Sequence, residues 1–228
     1  MSYTYSTLTT ALAAELSVDP ADTDFVAILP TLIDDAEQRI YRELDLLASI
    51  VTVPGTVTAN SRTFSLPTGS GHILVVDAIN VKDASSIRYP VAPATRETID
   101  AFWPSDTAPS APSYPKYLAR IDDATVLLGP PPDSAYSCEV IGTIRPAPLS
   151  STNTTTFLTN YLSDLFFAAC MISASGWMRN FGSQGDDPKM AVSWSSEYQA
   201  KLASAKSEEL RKSYVSAMSA PPASVKDA

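Results

Sequence analysis

Apolar residues recur at intervals of three and four toward both ends of the chain and in short broken runs through its middle. Leu8, Leu12 and Leu16 repeat at every fourth position and stop at Val18-Asp19-Pro20, the pattern of a helix closed by a turn. A second stripe comprises Phe25, Ile28, Leu29, Leu32, Ile33, Ala36, Ile40, Leu44 and Leu47. Asp34, Asp35, Gln38, Arg42 and Asp45 fall mostly on the opposite side, so the spacing predicts a long amphipathic helix over 25–47, with Asp24 as its cap. Pro30 interrupts that stripe, where it withholds a backbone donor and crowds the preceding turn, and a kink is expected there.

From 50 to 149 the period shortens. Runs rich in β-branched residues at 50–53, 63–66, 73–82, 117–121, 125–128 and 136–145 are separated by Pro and Gly, with Pro54-Gly55, 69–71 and Asp122-Asp123 as turn signals. Strands so spaced predict antiparallel pairing, while 129–133, with its three consecutive prolines, is excluded from a paired central strand. A short helix is expected over 94–103 with Thr95 as its cap, followed by a Pro-rich loop over 104–115. Helical spacing returns in Phe157, Leu158, Tyr161, Leu162, Leu165, Ala169 and Ile172, apolar around enough of its circumference to be central. After a turn at 182–188, Trp194, Tyr198, Leu202, Ala205, Leu210 and Tyr214 mark a helix over 190–218, about 40 Å long. The resulting expectation is an α+β fold: a helical bundle of N- and C-terminal helices with an inserted antiparallel β-rich domain. Its parts are 1–49, 50–149 and 150–218, with an extended tail at 219–228.

With 228 residues, 45% of them hydrophobic and 18% charged, the chain can fill a core. The 25 acids outweigh the 16 bases for a formal charge of -9, which excludes a protein that grips nucleic acid mainly by neutralising phosphates. The imbalance is local. Residues 1–38 carry seven acids and no base, whereas the cations Lys189, Lys201, Lys206, Arg211, Lys212 and Lys226 cluster toward the other end. Opposed ends of this kind suit contacts between subunits as well as solvated helix faces. The first base is Arg39, so no basic signal region opens the chain, and the longest apolar run, 165–172, is well short of the roughly 18 residues of a membrane span. A soluble protein of a reducing compartment is expected, with Cys138 and Cys170 as free thiols.

Candidate chemistry is sparse. The single histidine, His72, follows a glycine-rich turn without a nucleophile motif, and one His with two distant Cys cannot supply a zinc site. Asp19, Asp22 and Asp24 lack the glycine and closing glutamate of a calcium loop and read as helix caps. No glycine-rich phosphate cradle occurs, and the carboxylate pairs Asp34/Asp35, Asp122/Asp123 and Asp186/Asp187 read as a solvated helix face and two turns. No catalytic residue, cofactor or metal is therefore expected. Ten tyrosines spread along the chain suit subunit contacts, and the balance favours binding over catalysis.

Phe25-Val26-Ala27-Ile28-Leu29-Pro30, followed by Ala36-Glu37-Gln38-Arg39-Ile40-Tyr41, resembles the first long helix of the head-to-tail adaptor proteins of tailed bacteriophages. Further matches follow in the family's order: Tyr114-Pro115-Lys116-Tyr117-Leu118, then Leu127-Leu128-Gly129-Pro130-Pro131-Pro132-Asp133 with Tyr136, then Pro148-Leu149 leading through Thr156-Phe157-Leu158 into Asp164-Leu165. The resemblance covers most of 22–217. Departures are Ser110-Ala111-Pro112, where the family often has Gly-x-Pro, and an ending in Lys226-Asp227-Ala228 rather than a basic stretch.

The resemblance implies a structural virion protein: a ring, of twelve copies, seated under the portal protein and joined to a tail or nozzle protein. It implies a place in the virion neck after assembly in the host cytoplasm, DNA passing through the lumen without sequence-specific binding, and no membrane. On this reading Arg39, Tyr41, Arg42, Lys206, Arg211 and Lys212 are expected at the subunit interface. The tail, with Ser219, Pro221, Pro222, Val225 and Lys226, is expected to reach the portal. The alternative from another class is a monomeric carbohydrate- or receptor-binding module built on the β-rich insert.

Overall fold

The structure is a computed structural model that describes residues 2–69, 71–109, 113–178 and 190–218. The centre of the Pro-rich loop at 110–112, the turn expected at 182–188 and the tail 219–228 lie outside the described residues. The fold is α+β, and the chain divides into two compact units, one drawn from 1–48 and 147–228 and the other from 49–146.

The first unit is helical. Helix α1 (Tyr5–Leu16) opens with a capping box in which Thr4 and Thr7 satisfy each other's backbone amides, and it ends at Ser17 in the left-handed region, φ 55°. Helix α2 (Thr23–Glu43) is capped by Asp22, whose side chain accepts from the amides of Asp24 and Phe25; Asp24 itself lies in the first turn. The helix runs through Pro30, which stands on its exposed side and has no amide to give the carbonyl of Val26 one turn back. It stops at Glu43 rather than continuing to 47. Leu44 is extended, and from there Leu44 and Leu46 are buried while Asp45 and Leu47 are exposed, the two-residue alternation of extended chain.

The apolar stretch expected as one helix is two, α4 (Phe157–Tyr161) and α5 (Ser163–Trp177), divided at Leu162. A capping box of Thr156 and Thr159 starts α4, and Asp164 sits in the first turn of α5. Leu165, Phe166, Ala168, Ala169, Cys170, Met171 and Ala174 are all buried, so α5 is enclosed on most sides: α1, α2, α4 and the long α6 (Met190–Met218) pack against it. Burial of its leucine and phenylalanine side chains contributes about 1.5–3 kcal/mol each.

The second unit holds seven strands, β1 (Ile50–Val57), β2 (Thr63–Ser65), β3 (His72–Lys82), β4 (Arg88–Pro93), β5 (Tyr117–Arg120), β6 (Thr125–Gly129) and β7 (Tyr136–Arg145), and helix α3 (Arg96–Phe102) capped by Thr95. The sheet order is β1-β7-β3-β4-β5-β6-β2. A Cβ on Gly55 of β1 would lie 3.0 Å from Phe64 of β2, so the two edge strands meet and the sheet curls on itself. Alternate residues Cys138, Val140 and Ile144 of β7, with Val53, Phe64, Ile79, Val81 and Val126, fill the interior.

Two expectations are corrected here, and one strand is added. The sheet is mixed rather than antiparallel throughout, because β4 and β5 pair in parallel; the intervening helix α3 and Pro-rich segment give the chain length to cross over. The pair Pro54-Gly55 is no turn but the middle of β1, an edge strand, where proline is tolerated. Strand β4 carries Pro90 and Pro93, which disguise it in the sequence, yet Pro90 pairs with Asn80 and Val91 with Ile79.

Candidate functional site

The charged face of α2 forms a ladder one helical turn per rung. Gln38 Nε2 donates to Asp34 Oδ2 at 2.6 Å, and Arg42 Nη2 donates to Gln38 Oε1 at 2.7 Å. Beside it, Asp35, Gln38, Arg39, Arg42 and Glu43 line a cleft of about 360 Å³ with Ser173 of α5. The cleft gathers two guanidinium groups and two carboxylates, so its charges balance. Arg39 lies over the ring of Tyr198 of α6, 5.8 Å from guanidinium to centroid, while Tyr198 donates its hydroxyl to Glu43 Oε2 at 3.1 Å. Tyr198 is buried, and burial together with the Glu43 carboxylate raises its phenol well above the usual range. Arg39 and Glu43 thus fasten α2 to α6 within one subunit. Tyr41 is half-buried against the helical core.

The α6 cations divide into two kinds. Lys212 is engaged, 2.8 Å from Glu208 and 2.7 Å from Glu209, with its ammonium 5.8 Å from the Phe157 ring. Lys201 pairs with Glu197 at 2.7 Å. Lys206 and Arg211 are exposed and form no ion pair among the described residues; Arg211 stands near enough to Glu208 to help Lys212 lower that carboxyl, and donates to the carbonyl of Ser207 on its own helix at 3.2 Å. Between them stand two large apolar side chains open to water, Leu210 at 69% exposure and Tyr214 at 66%. The expected tail residues Ser219, Pro221, Pro222, Val225 and Lys226 lie outside the described residues.

Two buried carboxylates were not singled out from the sequence. Glu37, 3% exposed, accepts the Leu149 amide on both oxygens at 3.2 Å. Glu209, 6% exposed, accepts the Leu47 amide at 3.1 Å. The two amides thus belong to the chain just before and just after the β-rich unit, and each is held inside the helical unit by a glutamate. The signal for Glu37 lies in its position, four residues after Ile33 and three before Ile40, on the apolar stripe.

In the β-rich unit Glu139 of β7 binds two cations of neighbouring strands, Lys82 of β3 and Arg88 of β4, the latter through Nε at 2.8 Å. The hydrogen bond from Arg88, then that from Lys82, lowers the Glu139 carboxyl to about 2 from 4.5. Its contribution is therefore complete above pH 4.5 and is lost as pH falls toward 2. Glu139→Gln is expected to speed hydrogen exchange of the β4 amides at neutral pH, and to make no difference once the wild type is acidified below that range.

His72 is exposed at the start of β3, paired in register with Arg145. Among the described residues no three or more His, Cys, Asp or Glu side chains converge to hold a metal ion, and no helix is long and apolar enough to cross a membrane. Both cysteines are buried and free, and burial pushes the Cys138 thiol up to about 11.

The sequence model of a family described as SU10 adaptor protein matches residues 3–223. No curated protein matches the chain. Among solved structures, a chain from the neck of an empty GTA particle computed with C6 symmetry is similar over 82% of this chain and 87% of that one. Its sequence identity is 16% and its TM-score 0.26, a likeness too slight to carry an argument.

Proposed function

This chain belongs to the SU10 adaptor protein family, and we propose that it is a structural virion protein of a tailed bacteriophage, a head-to-tail adaptor whose twelve copies form a ring beneath the portal. The observation that carries this reading is the family match itself, which spans nearly the whole chain, both units included. In the ring α2 and α6 form the wall, and the tail 219–228 reaches the portal through Ser219, Pro221, Pro222, Val225 and Lys226. A tail or nozzle protein closes the other side, and DNA passes through a lumen that the net charge of -9 keeps from retaining it. The protein resides in the virion neck after assembly in the host cytoplasm.

Identical subunits closing a ring need two different, complementary surfaces. The unbalanced charge of the chain supports that requirement, with seven acids and no base in 1–38 against Lys206 and Arg211, exposed on α6 without an ion pair among the described residues. Arg39 and Arg42, with Tyr41 between them, stand on the same helix, but the cleft already balances both guanidinium groups, so Lys206 and Arg211 are the stronger interface candidates. The test is native mass measurement and negative-stain imaging of the protein alone and with the portal ring of its own phage. A ring, formed alone or only on the portal, is expected; a monomer that ignores the portal would overturn the reading and favour a glycan-binding module. Removing 219–228 is expected to weaken portal binding without unfolding the chain, and unchanged binding would refute the role of the tail.

A further inference from the structure

Helix α6 has an outer surface that the described residues of its own subunit leave uncovered. Tyr198, Leu202, Ala205 and Glu209 face inward and are buried. At about 100° per residue, Leu210 and Tyr214 stand on the opposite side, with Lys206 flanking them on one edge and Arg211 on the other. Two exposed apolar side chains framed by two cations that form no ion pair among the described residues, with Glu208 beside Arg211 as the one nearby acid, form a patch of defined chemistry: its complement is apolar and acidic.

That complement exists on the same chain, at the corner where α1 gives way to α2. Glu15 and Asp24 are exposed, and neither side chain has an ionic or hydrogen-bonding partner among the described residues. Asp19 and Asp22 beside them add charge while accepting local backbone amides. Val26, one turn after Asp22, is 49% exposed. No Lys or Arg occurs before Arg39, and no ion pair among the described residues engages these acids.

We propose that the outer face of α6, around Lys206, Leu210, Arg211 and Tyr214, docks a second copy of this chain through that copy's acidic α1–α2 corner, Glu15, Asp24 and Val26. The contact is heterologous: each copy offers the basic face to one neighbour and the acidic corner to the other, so it can repeat around a ring. It rests on the ring reading and specifies which surfaces meet. Because the charges are exposed, salt screens them over about 8 Å at physiological strength, and assembly is expected to weaken as salt rises.

The test uses two full-length variants, Lys206→Glu/Arg211→Glu and Glu15→Lys/Asp24→Lys, chosen so that the cap Asp22 and the paired Lys212 are untouched. Each should keep the wild-type circular dichroism spectrum; the melting temperature should be unchanged for the first and lowered by a few degrees for the second, since Lys replaces Asp24 in the first turn of α2. Each alone should require at least about tenfold more protein to assemble on the portal, since like charges now face one another. An equimolar mixture should assemble as the wild type does, with the two variants alternating, because every contact again joins opposite charges. A wild type that forms no ring at all would overturn the ring reading and this contact with it. A wild-type ring that either variant forms equally well would overturn the contact alone. A loss by the α6 variant that the mixture does not restore would also overturn it and would assign that face to the portal. Should either reversal fail to fold, Leu210→Ser/Tyr214→Ser replaces it, with weakened assembly expected and unchanged assembly contrary.

Discussion

Gly142→Val is expected to destabilise the β-rich unit by about 3 kcal/mol, and Gly142→Ala by a large part of that, because the position has no room for a Cβ. One built there would lie 2.2 Å from the carbonyl oxygen of Val75 and 3.3 Å from Cγ2 of Ile73. The crowding is set by backbone. Strand β3 shifts register against β7 between Ile73 and Val75 and again between Val76 and Ala78, and the intervening residues pass close over Gly142. Relief would require the ladder between β3 and β7 to open, and β7 also carries β1 on its other side. Gly69→Ala is the matched control, since nothing lies within 4 Å of a Cβ there. Thermal melting followed through the β-sheet circular dichroism signal checks both variants; a Gly142→Val protein that melts with the wild type would show that the strands slide past one another freely at this point.

The bulges that make Gly142 critical have no signature in the sequence, whereas the strands they distort do. The run 136–145 and the helix 190–218 are legible as elements, but the packed face of the helix only in part: Trp194, Tyr198, Leu202 and Ala205 keep a three-to-four spacing on the inner side, whereas Leu210 follows Ala205 by five positions and stands with Tyr214 in water. Strand β4 is hidden by Pro90 and Pro93 and the middle of β1 by Pro54-Gly55, residues whose local preference for turns is overridden when the neighbouring strand needs a partner. The end of α2 is ambiguous in the sequence because Leu44 and Leu47 continue the helical stripe, while Leu44 and Leu46 equally fit the extended alternation that the chain adopts.

The candidate site divides in the same way. That Arg39 and Arg42 share a face, and that Lys212 can reach Glu208 and Glu209, follow from helical spacing of three and four. That Tyr198 binds Glu43, 155 positions away, and that Glu209 holds the amide of Leu47, 162 positions away, depends on how helices assemble across the inserted unit, and no local rule contains it. The family resemblance was legible for a different reason: it rests on the order of dispersed motifs, to which Glu37 contributes without its burial being visible.

Glu37→Gln is expected to raise stability at about pH 8 by up to about 3 kcal/mol and to change it little at about pH 4.5. Burial lifts the Glu37 carboxyl to about 7 from 4.5, against the opposing pull of the Leu149 amide and with a smaller upward push from Asp34; Cys170 of α5 is the other titratable group whose environment it shares. The sign follows from which state holds the proton. Between pH 4.5 and about 7 the unfolded chain ionises this acid while the folded chain keeps it protonated, so folding stability falls as pH rises through that window and levels off above it. Glutamine preserves an acceptor for the Leu149 amide and removes the charge, so it escapes the loss. Glu37→Leu removes the acceptor as well, leaves the amide buried without a partner, and is expected to cost about 1–3 kcal/mol relative to glutamine at either pH. Melting of the three proteins at both pH values separates the two roles. A glutamine variant equally displaced at both would mean that Glu37 is not a buried acid titrating near neutrality, while parity of leucine with glutamine would mean that the hydrogen bond to Leu149 contributes nothing to holding the returning chain.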